Sequence, residues 1–281
     1  MAGRLPVAKT YKLFIDGAFP RSESGRTFPV HGPDGTLLAN AARASRKDLR
    51  DAVRTARAAQ EGWAARTAYN RGQVLYRVAE MLEGRRAELA TLLSDTGLGT
   101  EAAEEEVEAS IDRWVWYAGW SDKVHHVLGT VNPVAGPYFN FTVPEPTGVV
   151  GLVASGRPAL LGLVSRLVPA IVGGNAVVVV TGGDASLVAV TLGEVLATSD
   201  VPAGVVNILT GERAELLPWL ISHLDVNAVD LTGADDDLEA EVVAEAAANV
   251  KRVVFGDVEE ESPYAIADFL EMKTLWHPIG R

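Results

Sequence analysis

Reactive side chains are sparse in this sequence, and their spacing excludes most catalytic constellations. Cysteine is absent, so no thiolate nucleophile, disulfide or sulfur-ligated metal can form. Ser155 stands beside Gly156, but neither a G-x-S-x-G elbow nor a triad order surrounds it. His125 and His126 are adjacent in a stretch that reads as a strand, where neighbours point to opposite faces and share no metal. Asp235-Asp236-Asp237 lack the alternate spacing of a calcium loop. No catalytic residue and no metal ligand set is therefore expected. Phosphate-binding signatures are missing too: no Walker loop occurs, and the place for a G-x-G-x-x-G reads Gly148-Val-Val-Gly-Leu-Val-Ala-Ser155.

The elements that would position any site fall into two rhythms. Residues 11–30 read as a short hairpin, with Phe14, Ile15 and Phe19 flanking the turn residues Asp16-Gly17. Ser45-Arg46-Lys47-Asp48 has the form of a capping box opening a first helix, whose Leu49, Ala52, Val53, Ala56, Ala59 and Trp63 recur at helical spacing. A second helix carries Val74, Leu75, Val78, Leu82 and Leu89, and a third runs from about Thr100 to Ala118. The run Glu104-Glu105-Glu106 complements the positive end of that third helix and is expected as a solvated face. From Val124 to Val143 the pattern is strand-like, punctuated by Pro133, Gly136 and Pro137.

From Gly148 onward, apolar runs at Val149–Ala154, Ala176–Val180, Val205–Thr210, Ala228–Thr232 and Arg252–Phe255 alternate with helical stretches at about 158–172, 185–199, 212–222 and 237–248. Alternation of this kind marks βαβ units. The expected fold class is α/β, a doubly wound, Rossmann-like parallel sheet of about five strands, preceded by N-terminal helices.

Composition narrows the partners. The chain of 281 residues has a formal net charge of −12, and without clustered Lys and Arg it is not built to grip nucleic-acid phosphates. The most apolar stretch, Leu160 to Val180, is interrupted by Pro169 and Gly173-Gly174-Asn175, whereas a membrane span needs about 20 uninterrupted apolar residues. With no apolar leader in MAGRLPVAKTYKLF, a cytoplasmic protein is the default expectation.

Collinear segments resemble the aldehyde dehydrogenase superfamily. Leu13-Phe-Ile-Asp-Gly17 through Gly25-Arg-Thr-Phe-Pro-Val30 is similar to its N-terminal hairpin, and Ala56-Arg-Ala-Ala-Gln-Glu-Gly-Trp63 to its first long helix. Trp116-Tyr-Ala-Gly-Trp-Ser-Asp-Lys123 resembles the end of its third helix, and Glu145-Pro-Thr-Gly-Val-Val-Gly151 the entry to its cofactor sheet. Pro169 to Asn175, Pro202 to Gly211 and Leu231-Thr-Gly233 follow in the same order. Asp268 to Trp276 resembles the C-terminal strand that full-length members use for oligomerisation. It follows almost directly on Glu261-Ser-Pro263, which resembles the end of the cofactor domain, so the resemblance implies that the catalytic domain between them is missing. The implied organisation is 1–122 for the N-terminal hairpin and helices, 123–145 for an oligomerisation hairpin, 146–264 for the sheet and 265–281 for the terminal strand.

The resemblance implies a chemistry that this chain cannot complete. The family attacks an aldehyde with a thiolate, passes hydride to NAD(P) and activates water with a carboxylate. The family's Pro-Trp-Asn-Phe-Pro oxyanion motif is replaced by Ser155-Gly-Arg-Pro-Ala159, with Arg157 in place of Asn. Asp257 falls where the catalytic Glu would stand, in a turn with Glu259, Glu260 and Glu261 that reads as a solvated acidic loop. The Lys-Pro-Ser-Glu ribose turn becomes Val180-Thr-Gly-Gly183, leaving Asp184 to reach a ribose only if the loop shifts. Asp235 to Asp237 should repel a pyrophosphate. The positions left from the cofactor site are Val153, Ala154, Thr181, Gly211, Thr232 and Gly233. No cofactor is expected to bind tightly, NAD(P) being the only candidate.

The expected function is a pseudoenzyme that assembles with itself or with an intact aldehyde dehydrogenase. Phe269, Met272, Leu275 and Trp276 are expected to meet the other chain, since exposed apolar strands favour pairing. The alternatives are a contribution to NAD(P)-dependent aldehyde oxidation inside a hetero-oligomer, or a dinucleotide sensor built on the sheet.

Overall fold

The computed structural model describes residues 7–234 and 243–280. The chain opens with β1 (Thr10–Tyr11), β2 (Thr27–His31) and β3 (Leu37–Ala42), a small sheet ordered β1-β3-β2. The Asp16-Gly17 turn is present: Ile15 and Ala18 exchange backbone hydrogen bonds of 3.0 Å, and φ is 57° and 69° at the two turn residues. Positive φ at both central positions matches the twist of a tight hairpin, and Gly17 meets it without strain. Its leading arm does not stay within residues 11–30, however. Phe14 pairs with Ile208, donating 3.0 Å and accepting 2.7 Å backbone bonds, so this arm borders the main sheet. The longer hairpin is β2–β3; the second strand, LLANAA, is too alanine-rich to announce itself as a strand.

Five helices follow. In α1 (Arg46–Ala64) the capping box forms as expected: the Asp48 amide donates to Ser45 Oγ at 3.3 Å, and the Ser45 amide to Asp48 Oδ2 at 2.8 Å. The expected second helix is two, α2 (Ala68–Glu83) and α3 (Arg86–Asp95), broken at Gly84-Arg85, with Leu89 on α3. Next come α4 (Thr100–Trp120) and the one-turn α5 (Val124–Leu128). The last corrects the strand expected there: His125 and His126 lie on a helix, about 100° apart around its axis rather than on opposite faces.

The strands β4 (Thr130–Asn132) and β5 (Tyr138–Pro146) lead into β6 (Val149–Val153). Then α6 (Ala159–Val172), β7 (Ala176–Thr181), α7 (Ala185–Leu196), β8 (Val206–Thr210), α8 (Arg213–Ser222), β9 (Ala228–Asp230) and β10 (Arg252–Val254) alternate. The expected helix over 237–248 lies partly outside the described residues, and 243–247 are helical. All five strands from β6 to β10 are parallel, ordered β10-β9-β6-β7-β8. The chain winds from β6 through β7 to β8, then crosses to place β9 on the other side, so the switch point lies between β6 and β9.

This α/β sheet is buried on both faces, as a run such as AVVVVT requires. Val150, Leu152, Val177 and Val179 face a core with α2, α4, α6 and α7. Val149, Val153, Val178 and Val180 face a second core with α1 and α8. Burying one such valine side chain contributes roughly 1.5–3 kcal/mol, so residues of β6 and β7 hold both layers at once.

A third, antiparallel sheet is ordered β11-β5-β4, with β11 (Leu270–Pro278) paired along β5 from Leu270↔Pro146 to Pro278↔Tyr138. Directly opposed residues share a face. One face carries Thr142, Asn132, Asn140 and Thr274, joined by side-chain hydrogen bonds of 2.6–3.0 Å. The other carries Val131, Phe139, Phe141 and Leu275. Met272 and Leu275 therefore point to opposite faces, and Phe269 is 0% exposed in this chain's own core. Phe269 is withdrawn from the set expected to meet another chain.

Candidate functional site

The six positions expected to remain from a cofactor site collect at the carboxyl edge of the parallel sheet. Val153 ends β6, buried, and the Ala154 amide extends the ladder by donating to Val180 O at 3.0 Å. Thr181 ends β7, buried, with no hydrogen-bond partner for Oγ1 among the described residues, and its carbonyl accepts from the Gly211 amide at 2.9 Å. After β9, the Thr232 amide donates to Asp230 Oδ1 at 2.9 Å, and Thr232 Oγ1 accepts from the Gly256 amide at 2.8 Å. A Cβ on Gly233 would overlap the backbone of Ala154 and Ser155. Glycine is required there because the β9 loop presses on the β6 loop.

Charged side chains of the chain itself span this edge. From the first turn of α8, Arg213 donates Nη2 to Ala154 O at 2.6 Å and Nη1 to Gly233 O at 3.0 Å. Its planar guanidinium bridges the β6 and β9 loops across the switch point, a two-pronged geometry suited to arginine. On the other side of β6, Arg157 Nη2 donates to Thr96 O at 2.7 Å and to Asp184 Oδ2 at 3.1 Å. Asp184 Oδ1 meanwhile accepts from the Ala185 amide at 2.9 Å, capping α7. Both Asp184 oxygens are engaged by the chain's own groups.

Glu106 corrects the expectation of a uniformly solvated acidic face. Glu104 and Glu105 are exposed, but Glu106 is half-buried, and its Oε1 accepts from the Leu160 and Leu161 amides at 2.6 and 3.2 Å. A carboxylate thus occupies the amino end of α6, where anions are favoured. The cavity bounded by Thr96, Glu106, Arg157 and Asp184 has a volume of about 200 Å³, below the roughly 300–1,000 Å³ of usual small-molecule sites. Asp235 to Asp237, expected to repel a pyrophosphate, lie outside the described residues.

The turn expected to hold a degenerate catalytic carboxylate is an anchored surface loop. Asp257 is exposed, and its Oδ1 accepts from the Glu259 amide at 2.9 Å. Arg113 of α4 fastens the turn from beneath, donating Nη1 to Ser165 Oγ at 2.8 Å and to the carbonyls of Val258 and Glu260 at 3.3 and 3.0 Å. Its Nε lies 3.3 Å from Glu261 Oε2. Tyr117 donates to Ser262 O at 3.3 Å, and burial pushes its phenol up.

Arg166 is the charged group that sequence reasoning passed over. It lies in the apolar run ALLGLVSRLVPAIV of α6, 2% exposed. A lone charge in a buried helix was the available signal, since such residues stay buried only when paired. Its Nε donates to Asp230 Oδ2 at 2.7 Å and its Nη2 to Asp268 Oδ2 at 3.1 Å, with Phe269 beneath at 5.4 Å from the ring centroid. Burial pulls the guanidinium down, but Asp230 and Asp268 outweigh it and hold it above its ordinary value. Burial raises the Asp268 carboxyl against the pull of Arg166. This group joins α6, β9 and the approach to β11.

A five-stranded parallel sheet with helices on both faces and a β6/β9 switch point defines a doubly wound, dinucleotide-type fold. A model of the aldehyde dehydrogenase family matches residues 19–268, and the chain belongs to that family. It is 34% identical over 253 residues to retinal dehydrogenase 2 of Homo sapiens, covering 87% of this chain and 48% of that protein. It is 32% identical over 269 residues to a mitochondrial benzaldehyde dehydrogenase of Antirrhinum majus, covering 94% and 50%. Among solved structures, an NAD+ complex of an aldehyde dehydrogenase from Bacillus cereus aligns with a TM-score of 0.82 at 26% identity, covering 88% of this chain and 50% of that one. A protein from Burkholderia cenocepacia named as a putative aldehyde dehydrogenase aligns with a TM-score of 0.83 at 32% identity, covering 87% and 51%. The chain spans about half the length of the curated relatives it matches.

Proposed function

We propose that this chain is a non-catalytic member of the aldehyde dehydrogenase family that assembles, with itself or with a full-length relative, through the β4-β5-β11 sheet. The observation that carries this reading is an exposed apolar strip on one face of that sheet, bordered on the same face by the Lys273–Glu145 pair. Phe139 is 45% and Val131 67% exposed beside the half-buried Phe141 and Leu275, on a sheet built by pairing β11 along the whole of β5. Contiguous apolar patches of this kind mark protein contacts. The absence of any cysteine removes the nucleophile that the family's acyl chemistry needs. Asp257 lies on an exposed turn, hydrogen-bonded to its own loop.

The test is an aldehyde oxidation assay on the purified chain, followed by mixing with a full-length aldehyde dehydrogenase of the same cell and co-elution. The chain alone is expected to form no NADH, and either its own oligomer or the mixed complex is expected to elute. Turnover by the chain alone, or a monomer that binds neither itself nor the relative, would contradict the proposal.

A further inference from the structure

In open α/β sheets, ligands enter the crevice outside the carboxyl ends of the strands, at the switch point. Here that crevice lies between the ends of β6 and β9, and Arg213 stands in it. Its two terminal nitrogens reach Ala154 O and Gly233 O, one on each wall. The two walls are pressed together where Gly233 meets the Ala154–Ser155 backbone. Nearby, the Arg157–Asp184 pair, 3.1 Å apart, straps the β6 loop to the β7 loop. The amino end of α6 already holds the Glu106 carboxylate. A phosphate arriving there would meet a like charge instead of free amides.

We infer that the dinucleotide crevice of this chain is self-closed, and that Arg213 is the residue that decides whether an NAD-like ligand enters. Its guanidinium spans the switch point, and its hydrogen bonds to Ala154 O and Gly233 O tie the two walls together. A dinucleotide must break both bonds and displace the side chain before it can reach the strand ends. Arg213 is a gate, since it acts by excluding the ligand rather than by touching a reacting atom. This inference does not rest on assembly, because it concerns the crevice at the β6/β9 switch point rather than the β4-β5-β11 sheet, and it has its own readout.

The experiment is calorimetric titration of NAD into the full chain and into Arg213→Ala, with melting temperature and oligomer mass recorded on each. Alanine suits the first turn of a helix, so α8 is expected to persist. Arg213→Gln, too short to bridge both walls, serves as the second variant. The expected result is that both variants bind NAD at least about tenfold more tightly than the parent chain, which is about 1.4 kcal/mol. Folded variants whose NAD affinity equals that of the parent would overturn the inference. So would a parent chain that binds NAD as tightly as Arg213→Ala does. If Arg213→Ala does not fold, the comparison of Arg213→Gln with the parent decides by the same criterion.

Discussion

Single residues carry much of this structure's cost and specificity. Arg166 and Asp230 form a buried pair, 2% and 0% exposed at their side chains. Removing Arg166 leaves the buried Asp230 charge without a counter-charge, a loss of about 3–5 kcal/mol. Arg166→Met is therefore expected to lower the urea midpoint sharply, and the double variant Arg166→Met/Asp230→Asn to recover part of the loss. A single variant as stable as the parent would show that the pair is dispensable.

Lys251 gives a pH signature at the same scale. It is 8% exposed, donates to the carbonyls of His223 and Val226, and burial lowers its ammonium from 10.5 to about 8. Between those values the unfolded chain binds a proton that the folded chain does not, so stability attributable to this residue rises as pH increases from about 8 toward 10.5. In Lys251→Met that rise should be missing. Denaturant midpoints of both proteins across this pH range check it, and parallel curves would refute it. None of this was legible beforehand. Partners such as Asp230 lie far from Arg166 in sequence, and only the closing of β9 against α6 brings them together.

At the scale of elements, periodicity and end signals read well where local chemistry decides and poorly where the tertiary context does. The parallel strands were legible because doubly buried strands read as continuous valine-rich runs. The α1 start was legible from its capping box, and the cap has a larger role than the box alone. Asp48 also accepts from Ser22 Oγ at 2.8 Å and from the Glu23 amide at 3.1 Å, so it ties α1 to the segment before β2. Asp48→Ala is expected to cost about 1–3 kcal/mol, measured by chemical denaturation; a cost of a few tenths would show that water replaces it. By contrast, β3 is illegible in the sequence because alanine carries no strand preference, and α5 reads as strand because five residues are too few to show a helical period. The split of α2 from α3 at Gly84-Arg85 was missed because Leu89 continues the apolar spacing across the break.

Over the whole molecule, the family was legible from collinear segments and the five-stranded parallel sheet from its alternating runs, whereas the strand order and the state of the site were not. Val153, Ala154, Thr181, Gly211, Thr232 and Gly233 lie at one edge of the sheet because each ends a parallel strand or opens the loop after it. The closure of that edge depends on Arg213 and Glu106, whose significance exists only once α8 and α4 are docked. A family fold does not by itself assign an activity, because function is carried by a site rather than by its scaffold. The proposed assembly also has to overcome a net charge of −12. For two copies of this chain, like-charge repulsion is screened by salt, so self-association is expected to strengthen from low to physiological ionic strength. Weakening over that range would point to ion pairs rather than the apolar face.

The measurement that bears most directly on a non-catalytic, assembling subunit is light scattering on the purified chain and on Phe139→Asp/Leu275→Asp, alone and mixed with a full-length aldehyde dehydrogenase. Both substitutions lie on the apolar sheet face, and Phe139 is largely outside the chain's own core. An oligomer or mixed complex is expected for the parent chain and a folded monomer for the variant. A variant that assembles as the parent does, or a parent that stays monomeric in both settings, would contradict it.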